Sequence, residues 1–327
     1  MIARTVALVC ALALPAAAQI APEIKEWTVP YEDSRPRDPY AVSPDQVWFV
    51  GQVGGYLARL NPQTGEFFQV DLGEGAGPHN LIVGADGRVW FAGNRNAYIG
   101  IYEPDTGSIT KLPMPNDRAY DPHTLVFDAD QSHIFFTVQG GNFLGRVTLA
   151  DKSVDLVEVP TPQARPYGIK VAPDGTVWAT LFGTYKLAEL DPETLELTEH
   201  ALPRDAAQPR RLAITSDGRI WYVDYDQGKL GVFDPQTKSF QEWDSPSGKD
   251  ALPYGMTADD QDRLWYVETG PQPNRFVGFD PQTEQFLPAA DIPSGGGTIR
   301  HMHLHSPTDT IWFGTDTNTV GRAAMPQ

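Results

Sequence analysis

The sequence predicts an all-β protein, a seven-bladed β-propeller in which the N-terminal strand completes the last blade and closes the ring. Two observations lead to this fold. A unit of 42 to 47 residues recurs seven times, and the last copy lacks a fourth strand that is found instead near the N-terminus. Repeats of this length, each with four short strands, are typical of propeller blades, because stacked blades bury apolar faces that one unit could not bury alone.

The repeated unit is marked by an apolar strand that ends in Trp and usually continues with an aromatic residue. Its seven copies are Val47-Trp48-Phe49, Val89-Trp90-Phe91, Ile134-Phe135-Phe136, Val177-Trp178-Ala179, Ile220-Trp221-Tyr222, Leu264-Trp265-Tyr266 and Ile311-Trp312-Phe313. The third copy has Phe at the Trp position. No Trp of the set is followed by Asp, so the unit is not of the WD40 type.

Every unit carries its elements in the same order. In the second copy an Asp86-Gly87 turn precedes the Trp strand, and Ile99-Gly100-Ile101 marks the next strand. A Glu-Pro-Asp-Thr-Gly turn at 103–107 follows, in which Pro presets φ and an acidic side chain caps the backbone. A fourth strand then ends at Pro113. The pattern therefore predicts four antiparallel strands joined by tight turns.

The two ends of the chain predict how the ring closes. Residues 320–325 form the third strand of the last unit, after which the chain stops. Residues 26–30 (Glu-Trp-Thr-Val-Pro) resemble the fourth strand of the fifth unit, Gln241-Glu242-Trp243-Asp244. We therefore expect the N-terminal segment to pair with the last unit and to leave no open sheet edge.

Residues 1–18 are predicted to be a signal peptide. They have a basic start, an apolar run too short to span a bilayer, and small residues at Ala16-Ala17-Ala18 before the expected cleavage point. The remainder, 19–327, is predicted to be one propeller domain located in the periplasm or secreted. Cys10, the single cysteine, lies in the signal peptide, so the mature chain can form neither disulfides nor thiolate sites.

The charge balance restricts the partners. The chain has 25 basic and 42 acidic residues, a formal net charge of −17. Such an acidic chain is not expected to bind nucleic acid or anionic membrane surfaces. No segment after the signal peptide has the ~20 apolar residues that a membrane span needs. The sequence predicts a monomer that acts on a small or oligomeric substrate, and an anionic one because arginines line the predicted channel mouth.

The repeat resembles that of the virginiamycin B (streptogramin) lyase family. The pattern Pro-His-x-apolar-x-apolar-x-x-Asp-Gly-x-Val-Trp-Phe, followed by Ile-Gly and a Pro-x-Thr-Gly turn, is found at 78–91 with 99–107, and a similar pattern at 166–178 with 191–194. The resemblance covers nearly the whole mature chain. It implies a propeller lyase that linearises a cyclic depsipeptide by elimination across its ester, using a His base, a Glu and Mg²⁺.

The family's site residues transfer only in part. Glu268, three residues after Trp265, occupies the position of the family's Glu. Tyr254 stands where the His base is expected, and Arg210 stands at the corresponding position of the preceding blade. The resemblance thus implies a catalytic Glu268 and Mg²⁺ or another divalent cation, while the local residues favour Tyr254 as the base.

The position eleven or twelve residues before each Trp begins the innermost strand and is expected to line the channel mouth. In chain order the predicted residues are Tyr40 (in a shorter first unit), His79, His123, Tyr167, Arg210, Tyr254 and Arg300. All of them can exchange protons or pair with an anion. Tyr254, Arg210, Arg300 and the adjacent His301 are predicted to be catalytic, together with Glu268. Tyr40, His79, His123 and Tyr167 are predicted to bind substrate, although a Pro-His pair could instead be a structural feature of the repeat.

The position three residues after each Trp is mostly inert, with two exceptions in neighbouring blades. Asp224 and Glu268 are acidic there and are predicted to be metal ligands. The alternative is that both are solvated acids at the rim, in salt bridges with Arg210 and Arg300.

The predicted function is elimination across an ester or uronate-type substrate. Arginine would stabilise the charge on a carboxylate or carbonyl oxygen, and Tyr254 or His301 would remove the acidified proton. Two alternatives remain open at this point. One is a non-catalytic propeller that binds a ligand or protein, and the other is a metal-dependent esterase or lactonase, since propellers host many unrelated functions.

Overall fold

A computed structural model describes residues 21–326, so the predicted signal peptide lies outside the described residues. The chain forms seven antiparallel sheets, and each is one blade of a propeller. Strand β1 (Glu23–Thr28) comes first in the chain but belongs to the seventh blade. The all-β, seven-bladed fold predicted from the repeat is therefore confirmed.

The strands of the first four blades follow one another in chain order. Blade 1 contains β2 (Pro36–Ser43), β3 (Gln46–Gly51), β4 (Tyr56–Leu60) and β5 (Phe67–Asp71). Blade 2 contains β6 (Leu81–Val83), β7 (Val89–Gly93), β8 (Tyr98–Glu103) and β9 (Ser108–Pro113). Blade 3 contains β10 (Pro122–Phe127), β11 (His133–Val138), β12 (Phe143–Thr148) and β13 (Val154–Glu158). Blade 4 contains β14 (Pro166–Val171), β15 (Val177–Leu181), β16 (Lys186–Leu190) and β17 (Leu197–Ala201).

The last three blades include two irregular ones, because blade 6 has a broken outer strand and blade 7 takes its outer strand from the start of the chain. Blade 5 contains β18 (Pro209–Ile214), β19 (Ile220–Asp224), β20 (Lys229–Asp234) and β21 (Ser239–Asp244). Blade 6 contains β22 (Pro253–Ala258), β23 (Leu264–Glu268), β24 (Arg275–Asp280) and an outer strand broken into β25 (Gln285–Phe286) and β26 (Ala290–Asp291). Blade 7 contains β27 (Met302–His305), β28 (Thr310–Gly314), β29 (Thr319–Ala324) and β1.

Helical structure is limited to three short 3-10 turns in the described residues: η1 (Asn94–Asn96), η2 (Gly248–Ala251) and η3 (Ser306–Thr308). No helix within residues 21–326 is long and apolar enough to cross a membrane.

The Trp of each unit is a core residue rather than a surface one. Trp48, Trp90 and Trp265 are at most 1% exposed, on the second strands of blades 1, 2 and 6. In blades 2, 3, 5 and 7 the aromatic residue after the Trp position lies opposite a glycine on the neighbouring strand. Phe91 lies opposite Gly100, and a Cβ on Gly100 would stand 2.1 Å from the Phe91 ring. This close approach explains the Ile-Gly-Ile motif of the unit.

Strand β1 closes the ring as the sequence predicts. It pairs antiparallel with β29, from Glu23 opposite Ala324 to Thr28 opposite Thr319. The Trp27 ring stacks on Trp312 of the same blade, with centroids 5.5 Å apart. The last blade thus has its four strands in space, although its outer strand is the first strand of the chain.

The joint at the closure is built like an ordinary joint between blades. The Asn318 side-chain amide donates to the carbonyl oxygens of Val29 and Tyr31, at 3.0 and 3.1 Å. Between blades 3 and 4, the amide of Asn142 donates to the two corresponding carbonyls at the same distances. Equivalent hydrogen bonds therefore stabilise both the connection between blades 3 and 4 and the closure of the ring between blades 7 and 1.

Candidate functional site

The pairing of the first two strands of each blade defines the residue that begins the channel ring. Pro36 lies opposite Gly51, as Pro122 lies opposite Val138 in blade 3. The residue after that proline is the ring residue in blades 1 to 6, so Arg37 is the blade 1 member. In blade 7 Arg300 follows Ile299, and the pairing of Met302 with Phe313 places it at the same position. The ring is Arg37, His79, His123, Tyr167, Arg210, Tyr254 and Arg300.

The prediction that Tyr40 is a ring residue is wrong. Pro36 and Pro39 both precede a candidate in this unit, and the prediction takes the residue after Pro39, which lies eight residues before Trp48. Arg37 lies eleven residues before Trp48, the same spacing as in blades 2, 4, 5 and 6, and the register shift that follows it recurs in blades 3 to 6. The other six predicted ring residues occupy equivalent positions.

Tyr40 instead lies three residues further along the inner strand, opposite Trp48. Its ring stacks on His303 of blade 7, with centroids 4.0 Å apart. Lys170 occupies the equivalent level of blade 4, since all three residues pair with the Trp position of their blade. Burial and the charge of Arg211 lower the pKa of Lys170 to about 8, and burial together with Lys170 lowers the pKa of His303 to about 3.

Five ring residues contact one another in a row. Arg37 Nη1 donates to His79 Nε2 at 2.8 Å. The His79 and His123 rings lie 3.5 Å apart, and the His123 and Tyr167 rings 4.2 Å apart. The Tyr167 hydroxyl is hydrogen-bonded to the Tyr254 hydroxyl across blade 5. All five side chains are buried. The ring is therefore a connected set of polar groups and not seven separate side chains.

Arg210 lies in a cage of aromatic rings at the channel mouth. Its guanidinium carbon is 3.7 Å from the Tyr254 centroid, 4.2 Å from Tyr225 and 4.6 Å from Phe182. Within residues 21–326, no carboxylate forms a salt bridge with it. Arg210 is half-buried and therefore reachable from the mouth. By contrast, Arg300 is held by Asp316, with 2.7 Å between Nη2 and Oδ2.

The residues that follow the ring residues in the chain form a second ring, whose polar members are Asp38, Asn80, Thr124, Arg211 and His301. Of these, the sequence pattern predicts only His301 as a site residue. Asn80 donates to Asp38 at 2.9 Å and accepts from the backbone N–H of Leu125 at 2.9 Å, which ties blades 1, 2 and 3 together. The signal was present in the sequence. Arg37-Asp38 and His79-Asn80 are adjacent polar pairs, where a strand with one polar face would alternate.

Arg211 spans the channel. Its Nη1 donates to Thr124 Oγ1 of blade 3 at 3.0 Å, and its Nε donates to the Arg300 carbonyl of blade 7 at 2.9 Å. The side chain is 3% exposed. Arg211 therefore connects three blades and adds a buried positive charge at the axis.

Burial and these arginines set the charge of the titratable ring members. Burial, reinforced by Arg37, holds the pKa of His79 well below its ordinary value, and burial with Arg211 does the same for His123. Both are neutral at pH 7. Burial raises the pKa of both Tyr167 and Tyr254, but Arg211, Arg37 and Arg210 outweigh it at Tyr167 and lower its pKa. Tyr167 is therefore the phenol of the pair that ionises first.

The alternative that Glu268 and Asp224 are solvated acids at the rim is wrong. Both are 0% exposed. Glu268 accepts from the Ser247 backbone N–H at 2.8 Å and from its hydroxyl at 2.5 Å, and Arg275 lies 3.5 Å away. Asp224 accepts from Arg204 at 2.6 Å and from the Gln208 backbone N–H at 3.0 Å. Their partners are neither Arg210 nor Arg300, and the two carboxylates share none.

The contacts of Glu268 recur elsewhere in the molecule as a structural device. Glu26 accepts from the backbone N–H and hydroxyl of Ser294, both at 2.7 Å, and so caps the connection between blades 6 and 7. Glu199 caps Thr161 between blades 3 and 4 in the same way, at 3.0 and 2.7 Å. Glu268 thus caps the connection between blades 5 and 6.

Glu268 and Asp224, the predicted metal ligands, do not fit a divalent cation in this structure. The oxygens of Glu268 and Asp224 are already committed to hydrogen bonds within separate connections. Across the part of the chain that the structure describes, no group of three or more His, Cys, Asp or Glu side chains could hold a metal ion. The divalent cation stays a prediction.

His301, the remaining candidate, belongs to the second ring. It is half-buried, and its pKa is well below the ordinary value because of burial, with a smaller opposing effect of Asp38. His301 is thus on the channel side, as predicted, but behind the phenols.

Comparison with known proteins decides the family. The sequence model of the virginiamycin B lyase family matches residues 17–190 and again 152–325. The chain belongs to the virginiamycin B lyase family. The two overlapping matches together span the whole propeller, which is the expected result for a protein made of repeats.

Solved structures of virginiamycin B lyases have the same fold. A streptogramin B lyase superposes with a TM-score of 0.83 at 22% identity, covering 94% of this chain and 99% of the other. The selenomethionine-substituted enzyme from Staphylococcus aureus and a catalytically inactive variant of it with quinupristin give the same score and identity, covering 93% and 99%. No curated protein sequence matches this chain significantly. At this identity the likeness establishes the propeller and not the reaction.

The neutral histidines of the ring predict a pH-dependent stability. Because the folded pKa values of His79 and His123 are depressed, the unfolded chain binds more protons below its own histidine pKa of about 6.5. The free energy of unfolding should therefore fall as the pH drops below that value, by about 1.4 kcal/mol per unit for each histidine. Denaturant unfolding between pH 7.5 and 5 measures this. The variant His123→Gln should have a shallower dependence, and an unchanged slope would show that His123 is already protonated in the folded protein.

Proposed function

We propose that this protein is a carbon–oxygen lyase that eliminates across an ester or uronate-type substrate at the channel mouth. One observation carries the proposal. Two phenols, Tyr167 and Tyr254, are hydrogen-bonded to each other beside Arg210, a half-buried cation that has no carboxylate partner among the described residues. Family membership supports lyase chemistry, and the local residues define how it would proceed here.

Arg210 is the substrate-binding group in this proposal. The rings of Tyr254, Tyr225 and Phe182 hold the guanidinium in place without neutralising its charge. A planar guanidinium can bind a carboxylate or a carbonyl oxygen through two hydrogen bonds. Either contact withdraws electron density and acidifies the neighbouring C–H bond. Arg210 would also stabilise the enolate-type oxyanion that forms when the proton leaves.

The phenol pair provides the base. The surrounding arginines favour the Tyr167 phenolate, and Tyr254 stays protonated and donates to it. The Tyr167 oxygen takes the proton α to the carbonyl, and the released electron pair forms a carbon–carbon double bond as the β carbon–oxygen bond breaks. A carboxylate leaves from an ester without a proton. An alkoxide leaving from a uronate would take one from Tyr254.

Replacing each phenol tests the base. Tyr167→Phe and Tyr254→Phe should each lower kcat by about a hundredfold or more, the effect expected for loss of a general acid or base. Tyr102→Phe, a buried tyrosine outside the channel, is the matched control and should leave turnover unchanged. The substrate screen comprises cyclic depsipeptides, uronate oligomers and lactones. Elimination creates an unsaturated product and incorporates no ¹⁸O from labelled water, whereas hydrolysis incorporates it. Full activity in both channel variants would refute this mechanism.

The pH profile separates a basic from a structural role of the phenols. Activity should rise with pH through the pKa of the tyrosine pair, because the base is the phenolate. In Arg210→Gln one of the cations that lower the Tyr167 pKa is lost, so the rising limb should move to higher pH.

A binding propeller without catalysis is the second candidate, and one observation favours it. Tyr254 is 1% exposed and Tyr167 4%, so the phenols contact a ligand only at their edges. In this case no screened compound would be turned over, and ligand affinity would depend on Arg210 while Tyr167→Phe changed it little. The two candidates thus differ in the effect of the phenol variants.

We also propose that the protein is exported with cleavage after Ala18. The support is the composition of residues 1–18. The intact mass of the mature protein from a periplasmic fraction tests it. A mass that includes residues 1–18 would contradict export by this route.

A further inference from the structure

The centre of the channel contains buried hydrogen-bond donors that no described residue accepts. They are Arg37 Nε and Nη2 and Arg211 Nη2, and Arg210 Nε at the channel mouth is a further one. Arg37 and Arg211 are 5% and 3% exposed. An unsatisfied buried donor destabilises a folded protein, and native structures have few of them. Several donors around one axis therefore indicate an acceptor between them.

The tautomer of His79 adds another donor to the set. Arg37 Nη1 can only donate, so His79 Nε2 accepts this hydrogen bond. Since the imidazole is neutral, its proton is on Nδ1. That N–H also has no partner among the described residues.

The charges in the channel are unequal. Arg37, Arg210 and Arg211 are cations, and Asp38 is the carboxylate beside them. Asp38 makes no hydrogen bond with either neighbouring arginine, and its Oδ1 is itself a buried acceptor without a hydrogen-bond partner among the described residues. Its oxygens are 3.6 Å from Arg37 Nε and 4.0 Å from Arg211 Nη2. The axis of an acidic protein thus carries an excess of buried positive charge.

We propose that a small oxyanion of the phosphate or carboxylate class binds in the channel between Arg37 and Arg211. Ordered water could satisfy single donors, but water brings as many donors as acceptors and no charge. An oxyanion brings only acceptors and compensates the excess of guanidinium charge. The site lies between Arg37 of the first ring and Arg211 of the second ring, and it does not depend on the lyase proposal.

Anion-dependent stability tests the site without a substrate. At constant ionic strength, inorganic phosphate or acetate at about a hundred times its Kd should raise the Tm by about 5 °C over chloride. A response to phosphate alone assigns the phosphate class, and a response to acetate alone assigns the carboxylate class. Equilibrium dialysis with the stabilising anion should find one bound per chain.

Arginine variants locate the effect. Arg37→Gln and Arg211→Gln should weaken binding at least tenfold, because each removes a buried charged donor. Arg37→Lys and Arg211→Lys retain the charge and serve where a Gln variant does not fold. Arg146→Gln is the matched control, since Arg146 pairs with Asp155 outside the channel and the change in net charge is the same. An equal response in every variant, or no difference from chloride, would overturn the site and leave water as the occupant.

Discussion

Deletion of residues 21–30 is expected to open the propeller and to lower the Tm by about 10 °C or more, or to prevent folding. The deletion removes strand β1 with all its pairing to β29, the Trp27 ring that stacks on Trp312, and the buried side chain of Val29. Burial of Val29 and of part of Trp27 contributes about 3–4 kcal/mol, and each kcal/mol corresponds to roughly 2–4 °C in a chain of this size. The exposed edge of β29 would in addition promote aggregation.

A circular permutant is the matched control for this deletion. Glu23 pairs with Ala324, so the two ends of the described chain lie side by side. A chain that begins at Tyr31 and carries 21–30 after its C-terminus would form the last blade as an ordinary run of strands. It should melt within a few degrees of the natural order. A deletion variant as stable as the full chain would show that β1 is dispensable, and closure would then depend on blade contacts alone.

The substitution Glu268→Gln is expected to destabilise the fold by about 2–3 kcal/mol. The carboxylate is fully buried and accepts from both the backbone N–H and the hydroxyl of Ser247. An amide offers one acceptor oxygen, so one of these donors would face an NH₂ group or lose its partner. A charged Arg275 would also lose its carboxylate. The Tm should fall by roughly 4–10 °C.

Two further variants distinguish this structural role from a catalytic one. Glu199→Gln removes the same kind of cap between blades 3 and 4, and a loss of stability there supports the common device. Glu158→Gln removes an exposed carboxylate paired with Arg118 and should leave the Tm nearly unchanged. A Glu268→Gln protein with unchanged Tm and a hundredfold lower turnover would contradict our expectation and restore the family role of this Glu.

The channel ring could be predicted at six of its seven positions because the repeat is regular there. The residue that follows the proline at the start of the inner strand can be read from spacing alone in units two to six. The prediction for blade 1 is wrong because it takes the residue after Pro39, Tyr40, which lies only eight residues before Trp48. Arg37, the residue after Pro36, has the common spacing of eleven residues, so a strict count from the Trp identifies it.

The roles of the acidic residues could not be predicted for a different reason. Spacing from the Trp correctly placed Asp224 and Glu268 at equivalent strand ends, opposite Pro209 and Pro253. Whether such a carboxylate is free depends on the loop that covers it. For Glu268 that loop is the connection that contains Ser247, and nothing in the local pattern indicates that it folds over the strand end.

The sequence by itself determined the number of blades, the order of strands, the closing strand and the family resemblance. These properties follow from local turn chemistry and from a repeat that every blade must satisfy. The tertiary structure alone decided that Tyr167 pairs with Tyr254, that Arg211 spans the channel to Arg300, and that Glu268 is a buried cap. The first two contacts join residues 87 and 89 positions apart. They arise because ring closure brings distant inner strands to one axis, where side chains meet that no neighbouring residue in the chain predicts.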